Sequence, residues 1–342
     1  MKAAPYGAVF FSARLCLANA HKMRYHNYMD MQYLLWLQSI RMQAEPTIEI
    51  IMAALSDSAA FFVAVTCALC VLVDKKKFYR VLFCYSICAA VNAFVKITAC
   101  VYRPWIREPR IIPAKKSLGS ATGYSFPSGH TAAAASCSLG IIWQYKWKKV
   151  LAALLSLYVL IVAFSRNFLG CHTPQDILFA LAEAVFAVIA GAALTKHIES
   201  KEGADKVILV AASALFAALL AYVFLKPYPI DMDEAGKILV DPKKMQNDAM
   251  FDFAFAIGFV HAWFLERRFI NFSTDNLNAK KRLLRLAVVL FFALTITFVV
   301  YPAAKHFFDK RLAKFIKGYL FSFAAVYLTP LVFTKIERAL KW

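Results

Sequence analysis

The sequence predicts an all-α protein, a polytopic transmembrane helical bundle, on three observations. Of its 342 residues, 61% are hydrophobic and 15% aromatic, whereas a soluble domain has about 45–50% apolar residues. Several apolar runs reach the roughly 17–25 residues that a membrane-spanning helix needs. Charged residues gather between the runs, and Lys96 stands out as a cation inside one. The runs predict nine spans, at about 47–73, 81–102, 128–145, 149–165, 175–196, 206–226, 249–266, 284–303 and 317–336.

In chain order, residues 1–30 have a mixed composition and no clear period. Met29 and Met31 closely precede the aromatic stretch Tyr33-Leu34-Leu35-Trp36, so the natural start is expected near them. Residues 31–43 are expected to form a short amphipathic helix lying in the membrane interface. The domain reading is therefore 1–46 as an N-terminal extension with that helix, 47–200 as the chemical core, and 201–342 as an accessory four-span region. Ser56-Asp57-Ser58 is expected to break the first span, with Asp57 capping the restart rather than serving as an intramembrane acid.

The formal charge of +19 does not point to nucleic acid. The basic residues lie in short loops beside aromatics, where anionic headgroups are their natural neighbours. Cys67-x-x-Cys70 falls in an apolar run and is expected to be small core filler, and the eight cysteines show no disulfide framework. Asp231, Asp233, Glu234 and Asp241 lack the spacing of a calcium loop and are expected to be solvated. No metal-ligand set is expected.

Nine spans put the termini on opposite sides, and the loops divide 19 Lys/Arg against 20. Setting aside the ten in the chemical region and at the extreme N-terminus leaves 19 against 10. The positive-inside rule then makes the first set cytoplasmic and turns the chemical region outward.

That region holds three constellations. Lys96 and Arg103 are seven residues apart; on a continuous helix this puts both on one face, about 10 Å apart, with Pro104 ending the helix. Pro127-Ser128-Gly129-His130 opens the third span, where free N–H groups and the helix dipole favour an anion. Ser128 adds a hydroxyl, Gly129 permits close approach, and His130 stands where it can protonate a leaving oxygen. In Ser165-Arg166-x5-His172-x3-Asp176, Thr173-Pro174 is a helix start, so Asp176 fits a capping acid. It also fits a carboxylate that holds one nitrogen of His172 so that the other can attack phosphorus. Arg166 supplies a planar fork for phosphate oxygens. The span order brings all three to one side at one depth, and transfer of a phosphoryl group is mostly positioning within a fixed positive potential.

On these motifs the sequence resembles the type 2 phosphatidic acid phosphatases, integral membrane lipid phosphate phosphatases, over about residues 31–200. The resemblance implies a metal-independent phosphomonoesterase without cofactors. His172 would be the nucleophile, passing through a phosphohistidine; Asp176 would orient it, and His130 would act on the leaving group. Lys96, Arg103, Ser128, Gly129 and Arg166 would hold the phosphate. The partners implied are a membrane lipid phosphate and the bilayer, and the location is the plasma membrane with the site facing the extracytoplasmic side. The nine-span layout looks like the glucose-6-phosphatase branch, whereas Leu169 to Asp176 look more like bacterial lipid phosphatases. Phosphotransfer to another acceptor, hydrolysis of a sugar phosphate, and a transporter with a relic site are the competing readings.

Overall fold

The computed structural model describes residues 28–342, so the reading of the extreme N-terminus lies outside the described residues. The described residues form helices joined by short loops: α1 (Tyr28–Gln43), α2 (Pro46–Leu72), α3 (Lys75–Ala99), α4 (Gly129–Gln144), α5 (Lys149–Phe168), α6 (Pro174–Ser200), α7 (Ala204–Leu225), α8 (Pro242–Ile270), α9 (Ala279–Phe307) and α10 (Lys310–Ala339). Each of the nine expected spans falls on one of α2 to α10. Among the described residues, eight helices are long and apolar enough to cross a membrane. The exception is α4, whose 16 residues extend about 24 Å, against a hydrocarbon core of about 30 Å.

Starts and stops follow local chemistry. Pro46 and Pro174 occupy first turns, where a missing N–H costs nothing. Asp74, Asp241 and Asp309 accept from the second or third amide of α3, α8 and α10. Ile296–Val300 in α9 and Ala324–Leu328 in α10 are wide π turns. Pro302 and Pro330 follow them, each lacking the N–H that would close a normal turn.

Two local expectations are corrected. Helix α2 runs unbroken through Ser56-Asp57-Ser58, because each polar residue finds a partner that leaves the helix intact. Ser58 bonds back to Leu55 O at 2.6 Å, Ser56 meets Arg166, and Asp57 meets His130. Lys96 and Arg103 do not share a continuous helix either: α3 stops at Ala99, and Cys100 takes a left-handed φ of 50° before the single turn Pro104–Arg107.

Helix α3 is the mast of the bundle. Gly140 of α4 and Gly191 of α6 let these helices close on it: a Cβ at Gly191 would stand 2.8 Å from Cys84 Sγ. On its other side Phe83 packs edge-on against Phe259 and Trp263 of α8, with ring centroids 4.9 and 5.0 Å away. Helix α8 in turn meets α10 almost backbone to backbone, since a Cβ on Gly258 would lie 2.6 Å from Tyr319 O. One hydrophobic core therefore runs from Val63 through Phe83 and Phe259 to Phe333. Cys67 and Cys70 are buried within it as free thiols.

Helix α1 does more than lie at an interface. Leu34 and Leu37 are buried. Gln38 bonds Arg110 O and Ile112 N, and Arg41 donates to Phe168 O and Ile112 O. This fastens α1 over the 100–128 loop, while Trp36 stays exposed.

Candidate active site

The end of α3, the 100–128 loop, the start of α4, the end of α5 and the start of α6 converge at one end of the bundle. Three cross-links hold them. Lys96 Nζ donates to the carbonyls of Pro127 and Ser125. The Ser128 amide donates to Asp176 O at 3.1 Å. Arg103 spreads its guanidinium over Thr122 O, Gly123 O and Cys171 O at 3.0–3.1 Å. All eight residues singled out from the sequence come together here. Lys96, Arg103, Gly129, His130 and His172 line a cavity of about 540 Å³. Ser128, Arg166 and Asp176 stand behind that lining and are fully or nearly fully buried.

The hydrogen bonds around His172 determine its tautomer. Arg103 Nη1 lies 2.8 Å from His172 Nε2, and a guanidinium can only donate. Nε2 therefore carries the lone pair, and Nδ1 carries the proton and faces Asp176 Oδ2 at 3.2 Å. The same carboxylate oxygen accepts from Thr173 N at 2.9 Å and from the Ser125 hydroxyl. Asp176 N donates in turn to Thr173 Oγ1, so one aspartate both caps α6 and orients an imidazole. Burial, followed by the charges of Arg103, Arg166, Lys96 and His130, holds His172 well below the ordinary histidine range. It is a neutral, lone-pair-bearing group ringed by cations.

Arg166 is completely buried. Its Nη1 bonds Ser56 at 2.6 Å, but Nε and Nη2 have no partner among the described residues. An unpaired guanidinium edge costs free energy unless an anion completes it. A Cβ on Gly129 would meet only Asn92 Oδ1, at 3.6 Å, so protein packing does not require glycine there, and the open side belongs to the cavity.

Asp57, expected to be a cap, is instead a site residue. Its Oδ1 lies 3.3 Å from His130 Nε2. Asn92, held by Glu183 at 2.8 Å, also faces the cavity. Nothing in the sequence ties either residue to the motifs; only their helix faces do.

Chemically, the arrangement offers a nucleophilic nitrogen, a second imidazole paired with a carboxylate, three cations, and the N-terminus of α4. Residues 77–200, which contain all three constellations, match the PAP2 superfamily. Residues 252–341 match the PAP2 superfamily phosphatase transmembrane extension, so α9, α10 and most of α8 are a recognised companion of the PAP2 domain. No curated protein and no solved structure matches the chain. A PAP2 domain with this extension supports a membrane phosphatase in general.

Proposed function

We propose that the protein hydrolyses a phosphate or diphosphate monoester of a membrane lipid, without a metal and through a phosphohistidine on His172. The observation that carries this reading is that His172 and His130 open onto one cavity together with Lys96 and Arg103. His172 Nε2 attacks phosphorus as Arg103 transfers its hydrogen bond from the ring to a phosphate oxygen. The vacant edge of Arg166, Lys96, the Ser128 hydroxyl and the α4 amides near Gly129 take the other oxygens. The P–O ester bond breaks, and the departing alkoxide takes a proton from His130, whose imidazolium Asp57 stabilises. Asp176 holds the Nδ1 proton throughout. Water then attacks the phosphohistidine and gives a proton back to His130; the P–N bond breaks and inorganic phosphate leaves. The positive potential comes from side chains, which is the basis for a metal-independent step.

The cavity walls favour a lipid over a small soluble ester. From Lys96 the lining follows α3 through Ala93 and Ala89 to Tyr85, about 16 Å along the helix, with Ala and Phe side chains from α2 and α8 beside it. We take α4 as a ninth crossing, as in the glucose-6-phosphatase branch. The loop-charge bias supports a site that faces the extracytoplasmic side, and we propose the plasma membrane as its location.

The test is phosphate release by purified protein in EDTA from phosphatidate, lysophosphatidate, polyprenyl diphosphate and glucose 6-phosphate. Wild type is expected to turn over at least one lipid and to show acid-labile phosphohistidine on quenching. His172→Ala is expected to lose at least about 1,000-fold. Unchanged activity in His172→Ala would overturn the mechanism, and release from glucose 6-phosphate alone would overturn the lipid substrate.

A further inference from the structure

Helix α6 carries two buried carboxylates about two turns apart, Asp176 and Glu183. The first orients His172; the second holds Asn92. Glu183 is 4% exposed, and an acid inside a membrane bundle is costly. Its Oε2 accepts from Asn92 Nδ2 of α3 at 2.8 Å, while Oε1 has no partner among the described residues. Lys96, one turn along α3 from Asn92, supplies a nearby positive charge. The hydrogen bond that Glu183 makes therefore ends on a side chain that lines the cavity of His172.

A carboxylate can only accept, so the Asn92 amide has one orientation: its NH2 toward Glu183 and its oxygen away from it. Asn92 is 5% exposed, and its Oδ1 accepts no hydrogen bond from the described residues. That oxygen faces the first turn of α4, where a Cβ on Gly129 would stand 3.6 Å away with nothing else near it. His130 is the next residue. Asp57 at its Nε2 leaves the lone pair of the neutral ring on Nδ1. A phosphate dianion offers only acceptors, and donors surround its place: Lys96, Arg103 and the α4 amides. A neutral acceptor among them suits a group that carries O–H. The attacking water carries two such bonds, and two acceptors stand beside each other for it, the His130 lone pair and Asn92 Oδ1.

We propose that Asn92 positions the water that attacks the phosphohistidine, and that Glu183 acts through it as a positioning residue. This rests on the phosphohistidine reading above and assigns its second step. The water oxygen bonds to phosphorus as the bond from phosphorus to His172 Nε2 breaks. One hydrogen passes to His130 as a proton; the other stays on the product phosphate, held by Asn92 Oδ1 during the attack. Methanol has one O–H, which His130 takes, so its methyl group lies against Asn92 Oδ1 and gains nothing from it.

The test is how the intermediate divides between water and methanol. Full-length protein is given p-nitrophenyl phosphate in water–methanol mixtures, and inorganic phosphate and methyl phosphate are measured. Wild type is expected to favour water about 3–10-fold more than free phosphoimidazole does in the same mixture, as one hydrogen bond supplies. Asn92→Leu and Glu183→Leu are expected to lose that margin and to accumulate acid-labile phosphohistidine at steady state. Glu183→Gln, whose amide oxygen can still accept from Asn92 Nδ2, is expected to keep most of it. A structural lesion lowers both products together and leaves their ratio alone. That outcome in Asn92→Leu, or a wild-type ratio equal to that of phosphoimidazole, would overturn the role of Asn92 alone, and the wild-type measurement decides whether or not the leucine variants fold. Absence of phosphohistidine and of both products, from p-nitrophenyl phosphate and from each lipid ester named above, would overturn the underlying reading with it.

Discussion

Under the proposed reaction, His172 is held between a donor it must lose and an acceptor it must keep. Arg103 covers the nitrogen that has to attack, and Asp176 fixes the proton on the other. Because burial and the surrounding cations depress His172, its lone pair is available at any pH above that lowered value and is lost only as pH falls through it. The acid limb of kcat/KM is therefore expected below the ordinary histidine value of about 6.5; a limb at or above that value that disappears with His172 would contradict the assignment. Asp57→Asn removes the carboxylate that faces His130. An outer-shell loss of about 10–100-fold is expected on alkyl phosphates, but under about 3-fold on p-nitrophenyl phosphate, whose leaving group needs no proton. Equal losses on both substrates would reduce Asp57 to a structural part. The eight motif residues were legible because each motif pairs an unusual polar residue with a helix boundary. Asp57 was not, because an aspartate flanked by serines has the same local signature whether it caps a helix or faces a histidine on another one.

At the level of elements, the tightest constraint is the α8–α10 seam. A Cβ on Gly318 would press on the Phe251 carbonyl, and one on Gly258 on Tyr319 and Ser322. Gly318→Leu is expected to cost about 1–3 kcal/mol by overpacking and to lower the thermal midpoint of the detergent-solubilised protein. It should also lower kcat/KM, because the seam joins the α8 and α10 walls of the cavity. A midpoint equal to wild type would show that the helices separate freely. Apolar run length located every one of these helices, since period and hydropathy are local properties. The unbroken course of α2 and the early end of α3 at Cys100 escaped, because tertiary partners decide the first and a left-handed backbone the second.

For the molecule as a whole, the end opposite the site holds core and extension together. Glu266 of α8 takes Lys75 of α3 at 2.8 Å and the Tyr79 hydroxyl at 3.0 Å, and is itself completely buried. Arg285 of α9 pairs with Glu337 of α10 at 2.8 Å and reaches Val71 O of α2. Glu266→Ala takes the carboxylate from the Lys75 ammonium, leaving it only the neutral acceptors Asn271 Oδ1 and Phe272 O, and is expected to cost about 3–5 kcal/mol. The paired change Lys75→Met with Glu266→Met is expected to recover most of that, and a double-mutant cycle with coupling below about 0.5 kcal/mol would refute the clamp. The division of the chain near residue 200 did not anticipate that both halves would wall one cavity. Aromatic faces such as Phe83 against Phe259 leave no trace in spacing or charge.

The shortness of α4 has a bearing on traffic. Ser128 caps it and its first turn carries Gly129 and His130, while Lys96 lies in the last turn of α3, so under the proposed reaction the bond to be broken sits level with the helix ends rather than out in the loops. For that reaction, water has to pass between the helix ends to reach it. Under the proposed reaction the two products part in opposite directions: the freed alcohol sinks back into the leaflet that supplied it, and the phosphate rises to the aqueous side.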